Sequence, residues 1–251
     1  MTWRKTYQGA EPVRVNKWLA LEGVCSRREA EALIAKGLVT IEGASVTDPG
    51  RKIEPGQTIE VTSGGARPAI SIAINKPVGF VSAQPEHDQI PAARLLTRTN
   101  LVGPPRNMPT KRTRLAPLGR LDQDSRGLLL LSEDGVLAKA VIGPRSTIDK
   151  EYVVEVKGQI TDRKITLLRH GLSLDGRQLK PAKVRVERGH FLRFTLIEGR
   201  NRQIRRMCEL VDLDVVDLLR VRIGPIELGD LPEGKWRALT EDERAALLGK
   251  R

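Results

Sequence analysis

The chain has 251 residues, 39% of them hydrophobic and 29% charged, enough apolar material for one large domain or a large one beside a small one. Its formal net charge of +12 points to a polyanionic partner, either nucleic acid or an anionic membrane surface. No run approaches the roughly 18 apolar residues that span a bilayer, and the opening Met-Thr-Trp-Arg-Lys lacks the apolar stretch of a secretory signal, so no membrane association is expected. The two cysteines, Cys25 and Cys208, lie far apart and suggest neither a disulfide framework nor a thiolate metal site. His87, His170 and His190 show no ligand spacing, so no metal is expected, and this usage fits a reducing cytoplasm.

Residues 1 to about 11 read as a flexible polar arm. From Val13 to Val61 the pattern is that of a compact unit. Val15, Trp18 and Leu19 share one helical face and Gly23 closes that helix. Ser26-Arg27-Arg28-Glu29 is a capping box for a second helix, which turns Ala30, Leu33 and Ile34 inward and stops at Gly37. Short strands are predicted at Val39–Ile41, around Val46 and at Thr58–Val61, separated by glycine and proline turns. The stretch RVNKWLALEGVCSRREAEALIAKGLVTIEG, followed by PGQTIEV, resembles an S4 RNA-binding domain, placed here at residues 12–62. The resemblance implies RNA contacts for Arg27 and Arg28, at the positive end of a helix dipole, and for Lys36. A solvated arginine pair is the plainer alternative, because residues 1–62 carry nine basic against eight acidic residues. Residues 63–68 are small, glycine-rich and closed by proline, and read as a linker.

A second domain is expected over residues 69–249. Ile70, Ile72 and Ile74 alternate into a strand that ends at Asn75-Lys76-Pro77-Val78-Gly79, where proline and glycine set a bend. Between Arg94 and Arg120 stand seven basic residues and no acidic ones, interrupted by Pro104, Pro105 and Pro109. Residues 100–114 read equally as an RNA-contacting arm or as a solvated insertion.

Then comes PLGRLDQDSRGLLLLSEDG, residues 117–135. Leu128 to Leu131, bounded by Gly127 and a turn, leave no solvent face and predict a strand buried on both sides. Asp122 stands in the turn that leads into it, held by a rigid element. An aspartate in such a turn is also a common turn former or surface ion pair. The order Gly119-Arg120-Leu121-Asp122, then Ser125-Arg126-Gly127-Leu128-Leu129, resembles the catalytic motif of pseudouridine synthases of the RsuA/RluB/RluE/RluF family. The likeness extends in order along nearly the whole chain, and Asn100–Arg114 departs from it by its length.

Asp149-Lys150-Glu151-Tyr152-Val153-Val154 is strand-like and fits the family's Lys-x-Tyr, whose ring packs on the target base. Strand tyrosines otherwise serve as core or edge packing. A helix at Asp162–His170, a hairpin at Asp175-Gly176 and alternation at Val184/Val186 and Leu192/Phe194/Leu196 indicate a largely antiparallel sheet with helices against it. Asn201 caps a further helix with Ile204, Met207, Cys208 and Val211 inward. NRQIRRMCE, Arg222-Ile223 and GKWRALT near the end look most like the RluF branch. The strand from Val215 to Ile223 and a capping box at Thr240–Glu243 complete the pattern.

The expected fold is therefore α+β: a small S4 module plus a synthase domain with a mainly antiparallel mixed sheet flanked by helices. The resemblance implies isomerisation of uridine to pseudouridine within rRNA, and in some relatives tRNA, by a monomer that needs no cofactor. It makes Asp122 the catalytic carboxylate, as nucleophile at C1′ or C6 or as base toward a ribose proton, with Tyr152 stacking and Arg205 paired to the acid. RNA contacts are expected from Lys76, Arg120, Arg202 and Arg206. The alternative is a non-catalytic S4-type ribosome-assembly factor.

Overall fold

The structure is a computed structural model that describes residues 2–62, 69–82, 85–86, 88–104, 108–110 and 113–249. The expected linker at 63–68 and, within the basic stretch, Arg106, Lys111 and Arg112 lie outside the described residues. Packing divides the chain into two units, Met1–Ala69 with Asp134–Val136, and Ile70–Glu133 with Leu137–Arg251.

In the first unit, β1 (Thr2–Thr6) pairs along its whole length with β4 (Thr58–Thr62), from Thr2 opposite Thr62 to Thr6 opposite Thr58. This corrects the reading of residues 1–11 as a flexible arm. The segment is polar by composition, yet Trp3 and Tyr7 set their rings 5.7 and 5.4 Å from Trp18. Such aromatic burial outweighs the entropy of ordering a few residues. The sheet is completed by β2 (Val39–Ile41) and β3 (Ala44–Ser45), in the order β1-β4-β2-β3. Against it lie α1 (Val15–Leu21), which buries Val15, Trp18 and Leu19, and α2 (Arg27–Ala35), which buries Ala30 and Ile34. The capping box forms as spelled: the Glu29 amide donates to Ser26 Oγ at 3.2 Å and the Ser26 amide to Glu29 Oε2 at 2.6 Å.

The second unit is organised on a mixed sheet. Its strands are β5 (Ser71–Lys76), β6 (Arg126–Ser132), β7 (Lys150–Lys157), a β8–β9 hairpin apart from the sheet (Ser173–Leu174, Arg177–Gln178), β10 (Lys183–Val186), β11 (Phe191–Leu196), β12 (Asp214–Ile223) and β13 (Trp236–Ala238). The order across the sheet is β10-β11-β7-β12-β6-β5-β13. Every neighbouring pair is antiparallel except β6 with β12, which run parallel.

The leucine run explains why the sheet sits centrally. Leu128 and Leu130 pack with Leu137, Val141 and Ile223 on one face, while Leu129 and Leu131 pack with Val154, Ile204 and Met207 on the other. Helices α3 (Gly135–Ile142), α4 (Asp162–Arg169), α5 (Gln203–Glu209) and α6 (Glu241–Leu247) supply apolar faces to these cores. All six residues of β5 are buried too, Ser71 spending its hydroxyl on Ser132 at 2.7 Å. No described helix is long and apolar enough to cross a membrane.

Candidate active site

The second unit holds a cavity of about 630 Å³. Asp122, Tyr152 and Arg205 all line it, together with Arg120 and Arg202. Three distant stretches of sequence thus meet: the turn before β6, the start of β7 and the first turns of α5.

The turn bearing Asp122 is fixed from several sides. Ser82 Oγ donates to the Leu121 carbonyl at 2.7 Å and accepts from the Leu121 amide at 2.8 Å, so one hydroxyl clamps both polar groups of the neighbouring residue. The Gly79 amide donates to the Gln123 carbonyl at 2.8 Å, and the Ser125 amide to the Asp122 carbonyl at 3.2 Å. Gly79 can do this because it holds φ +93°, a region that side chains disfavour.

Lys76 is the pin of that bend and not a surface group. Its ammonium donates to the carbonyls of Pro77 at 2.8 Å and Phe80 at 2.7 Å, and the residue is fully buried. The expected phosphate contact is therefore corrected: the two carbonyls occupy the amine and the bend covers it. Burial, reinforced by the Arg220 charge and opposed by Asp124 and Asp122, pulls its pKa down to about 8.

The arginines of α5 divide their partners differently from the expectation. Arg205 does not reach Asp122; its Nε lies 3.3 Å from Asp124 Oδ2, and its Nη2 donates to the Asp124 carbonyl at 2.7 Å. Among the described residues the guanidinium within 4.0 Å of Asp122 is that of Arg202, at 3.8 Å, which also grips Asp124 in bidentate fashion at 3.1 and 2.9 Å. Burial pushes the Asp124 carboxyl upward, but the Arg202 hydrogen bond and the two arginine charges prevail and leave it below the ordinary value. Asn201 does not cap α5; Arg202 holds that place at φ +48° without a side-chain cap, and the Arg200 amide instead donates to Gln203 Oε1 at 2.9 Å.

Arg206 lies outside the cavity lining and grips Asp175 at 3.0 and 2.6 Å. Arg200 joins it, donating to the carbonyls of Leu174 and Arg177 at 3.1 Å and of Gln178 at 2.8 Å. Both thus fasten the β8–β9 hairpin to the start of α5, so the expected RNA contact from Arg206 is corrected to a clamp on that hairpin. In the first unit, Arg27, Arg28 and Lys36 are exposed at the two ends of α2.

Asp124, Ser82 and Arg220 escaped the sequence reading. Asp124 stands two residues from Asp122 in the same turn, but the Gly-Arg-Leu-Asp order falls on Asp122 alone. Arg220 left only a faint trace, as one of three charged residues, with Asp217 and Arg222, inside the run Val215–Ile223.

Residues 70–210 match the RNA pseudouridylate synthase family and residues 13–59 the S4 domain. The chain belongs to the RNA pseudouridylate synthase family. It is 38% identical over 236 residues to the dual-specificity RNA pseudouridine synthase RluF of Escherichia coli, covering 92% of this chain and 77% of that one. It is 34% identical to ribosomal large subunit pseudouridine synthase B of Bacillus subtilis, over 92% and 93% of the two chains. A crystal structure of a pseudouridylate synthase superposes with a TM-score of 0.66 at 26% identity, over 94% of this chain and 99% of that one. This pseudouridine synthase is an isomerase whose substrate is RNA, and family membership sets aside the non-catalytic alternative.

Proposed function

We propose that this synthase isomerises a uridine of large-subunit rRNA, with tRNA as a second substrate, and that Asp122 is its catalytic carboxylate. The observation that carries the reading is the meeting of Asp122, Tyr152, Arg202 and Arg205 around one cavity. The relatives are named for large-subunit and dual-specificity RNA pseudouridine synthesis, which supports the choice of substrate.

In the reaction, the N1–C1′ bond of uridine breaks, the uracil turns, and a C5–C1′ bond forms; the proton lost from C5 is balanced by one gained at N1. Atoms and redox state are conserved, so the isomerisation calls for no external reductant or group donor. Asp122 faces the cavity as nucleophile or base. Arg202 sets a positive charge beside it, and Tyr152 offers a ring for the extruded base. Extrusion costs a few kcal/mol, of which stacking returns roughly 1–3 kcal/mol. Arg120, exposed on the same turn, is suited to phosphate or to the space that the base vacates. Residues 12–62 act as a separate RNA-docking module, residues 69–249 as the catalytic domain, and the enzyme works as a cytoplasmic monomer.

The test is to map pseudouridine in rRNA and tRNA from cells with and without the gene, and from cells carrying Asp122→Asn. The expected result is one large-subunit rRNA position, plus a tRNA position, lost in both altered strains. A site retained with Asp122→Asn removes Asp122 from its role.

A further inference from the structure

Arg220 lies on β12 and is 1% exposed, among the largest fully buried side chains of the protein. Its Nε donates to the Leu128 carbonyl at 2.7 Å, its Nη2 to Gly119 at 3.0 Å and its Nη1 to Arg120 at 3.3 Å. Among the described residues no carboxylate lies within 4.0 Å of it, whereas Arg126, Arg202, Arg205 and Arg222 each have one. Burying a charge without a counter-charge costs several kcal/mol. Its field also reaches two other buried amines, Lys76 and Lys150, and helps to depress both. An apolar side chain would fill the same space in the core at less cost, so stability alone does not account for an arginine here.

Its backbone position supplies the reason. Arg220 stands in parallel register with Gly127 on β6 and in antiparallel register with Tyr152 on β7. A Cβ on Gly127 would come within 2.4 Å of the Arg220 carbonyl oxygen, so only glycine lets β6 approach this closely. One residue therefore spans the strand that carries Tyr152, the strand that follows Asp122, and the carbonyls two and three residues before Asp122.

We propose that Arg220 is a positioning residue, holding the Gly119–Asp122 turn at a fixed distance from Tyr152. This rests on the assignment of Asp122 and Tyr152 above. Three N–H groups in a rigid fork reach three carbonyls on two segments; a lysine keeps the charge but has one nitrogen to serve them.

The experiment compares the full-length wild type with Arg220→Lys and Arg220→Gln. It measures RNA affinity, single-turnover rate at saturating enzyme, and amide hydrogen exchange. Both variants are expected to keep RNA affinity within about twofold, to lose about 30-fold or more in single-turnover rate, and to exchange the Leu121 amide at least about tenfold faster, with α2 unchanged. A rate within threefold of wild type, an equal loss of rate and affinity, or full rescue by lysine would overturn the proposal. If neither variant folds, exchange of the wild type decides: a Leu121 amide as labile as the exposed loops counts against the strut, and one protected like β6 supports it. A wild type that forms no pseudouridine sinks the substrate reading instead, and exchange in Arg220→Gln still judges the strut, which falls if that exchange is unchanged.

Discussion

Arg205 closes on Asp124 and leaves Asp122 to Arg202, at 3.3 and 3.8 Å respectively. Two guanidiniums thus converge on one turn, and Asp124 is the acid they share. The arrangement leaves Asp122 one loosely held cation and an open side toward the cavity, which suits a group that must meet substrate. Asp124 instead organises the arginines.

Asp124→Asn keeps the shape and removes the shared charge. Turnover is expected to fall about tenfold while RNA affinity holds or improves, because Arg202 is freed toward phosphate. Asp124 has a folded pKa below its ordinary 3.8, so its stabilising contribution is present above that value and is lost as acid protonates it. The stability gap between wild type and Asp124→Asn should shrink below about pH 4, as read by urea titration at stepped pH.

Tyr152 is 9% exposed on β7 and faces the cavity. Tyr152→Phe keeps the ring and deletes the hydroxyl, so RNA affinity should stay within twofold while single-turnover rate falls about 100-fold or more, the scale of one lost proton-transfer group. Unchanged turnover reduces Tyr152 to a packing surface.

Arg27 and Arg28 occupy the first turn of α2, both exposed, where dipole and side-chain charge add. Replacing both with alanine should weaken RNA binding and reduce the slope of log affinity against log salt by about 2, one for each lost phosphate contact. Filter binding over a salt series measures this. An unaltered slope would remove the pair from the RNA footprint.

Lys76 offers a pH test of the scaffold. Its folded pKa of about 8 is below the ordinary 10.5, so the unfolded chain holds the extra proton between those values. Stability contributed by this residue therefore rises with pH across that window, by at most about 3 kcal/mol. The stability of wild type relative to Lys76→Met should increase from pH 8 to pH 10, and a flat difference would contradict the buried, charge-penalised amine.

Much of this was legible in local sequence because local physics decides it. Ser26 with Glu29, and Thr240 with Glu243, need only three-residue spacing to form their capping boxes, and both form. The leucines of β6 declared a strand covered on both faces without reference to their partners. What stayed hidden depends on distant segments. Asp124 and Asp175 are 81 and 31 residues from the arginines they hold, so spacing within NRQIRRMCE could not assign Arg205 and Arg206 their acids. Thr2–Thr6 looked unstructured because its anchor is Trp18; Lys76 is the local exception, its bend legible in Pro77 and Gly79 but the inward turn of its amine onto the Pro77 and Phe80 carbonyls not.

The outer position of β13 has a consequence for synthesis. Trp236 to Ala238 complete the sheet beside β5, pairing with residues translated more than 150 positions earlier, and the Trp236 indole donates to the Thr97 carbonyl at 2.8 Å. Until that late segment leaves the ribosome, β5 presents an unpaired edge to every neighbouring nascent chain. The first unit, whose strands all fall within 62 residues, can close long before then. Fragments ending ahead of Trp236 should thus accumulate as aggregates even though they contain Asp122, Tyr152 and every arginine of the cavity.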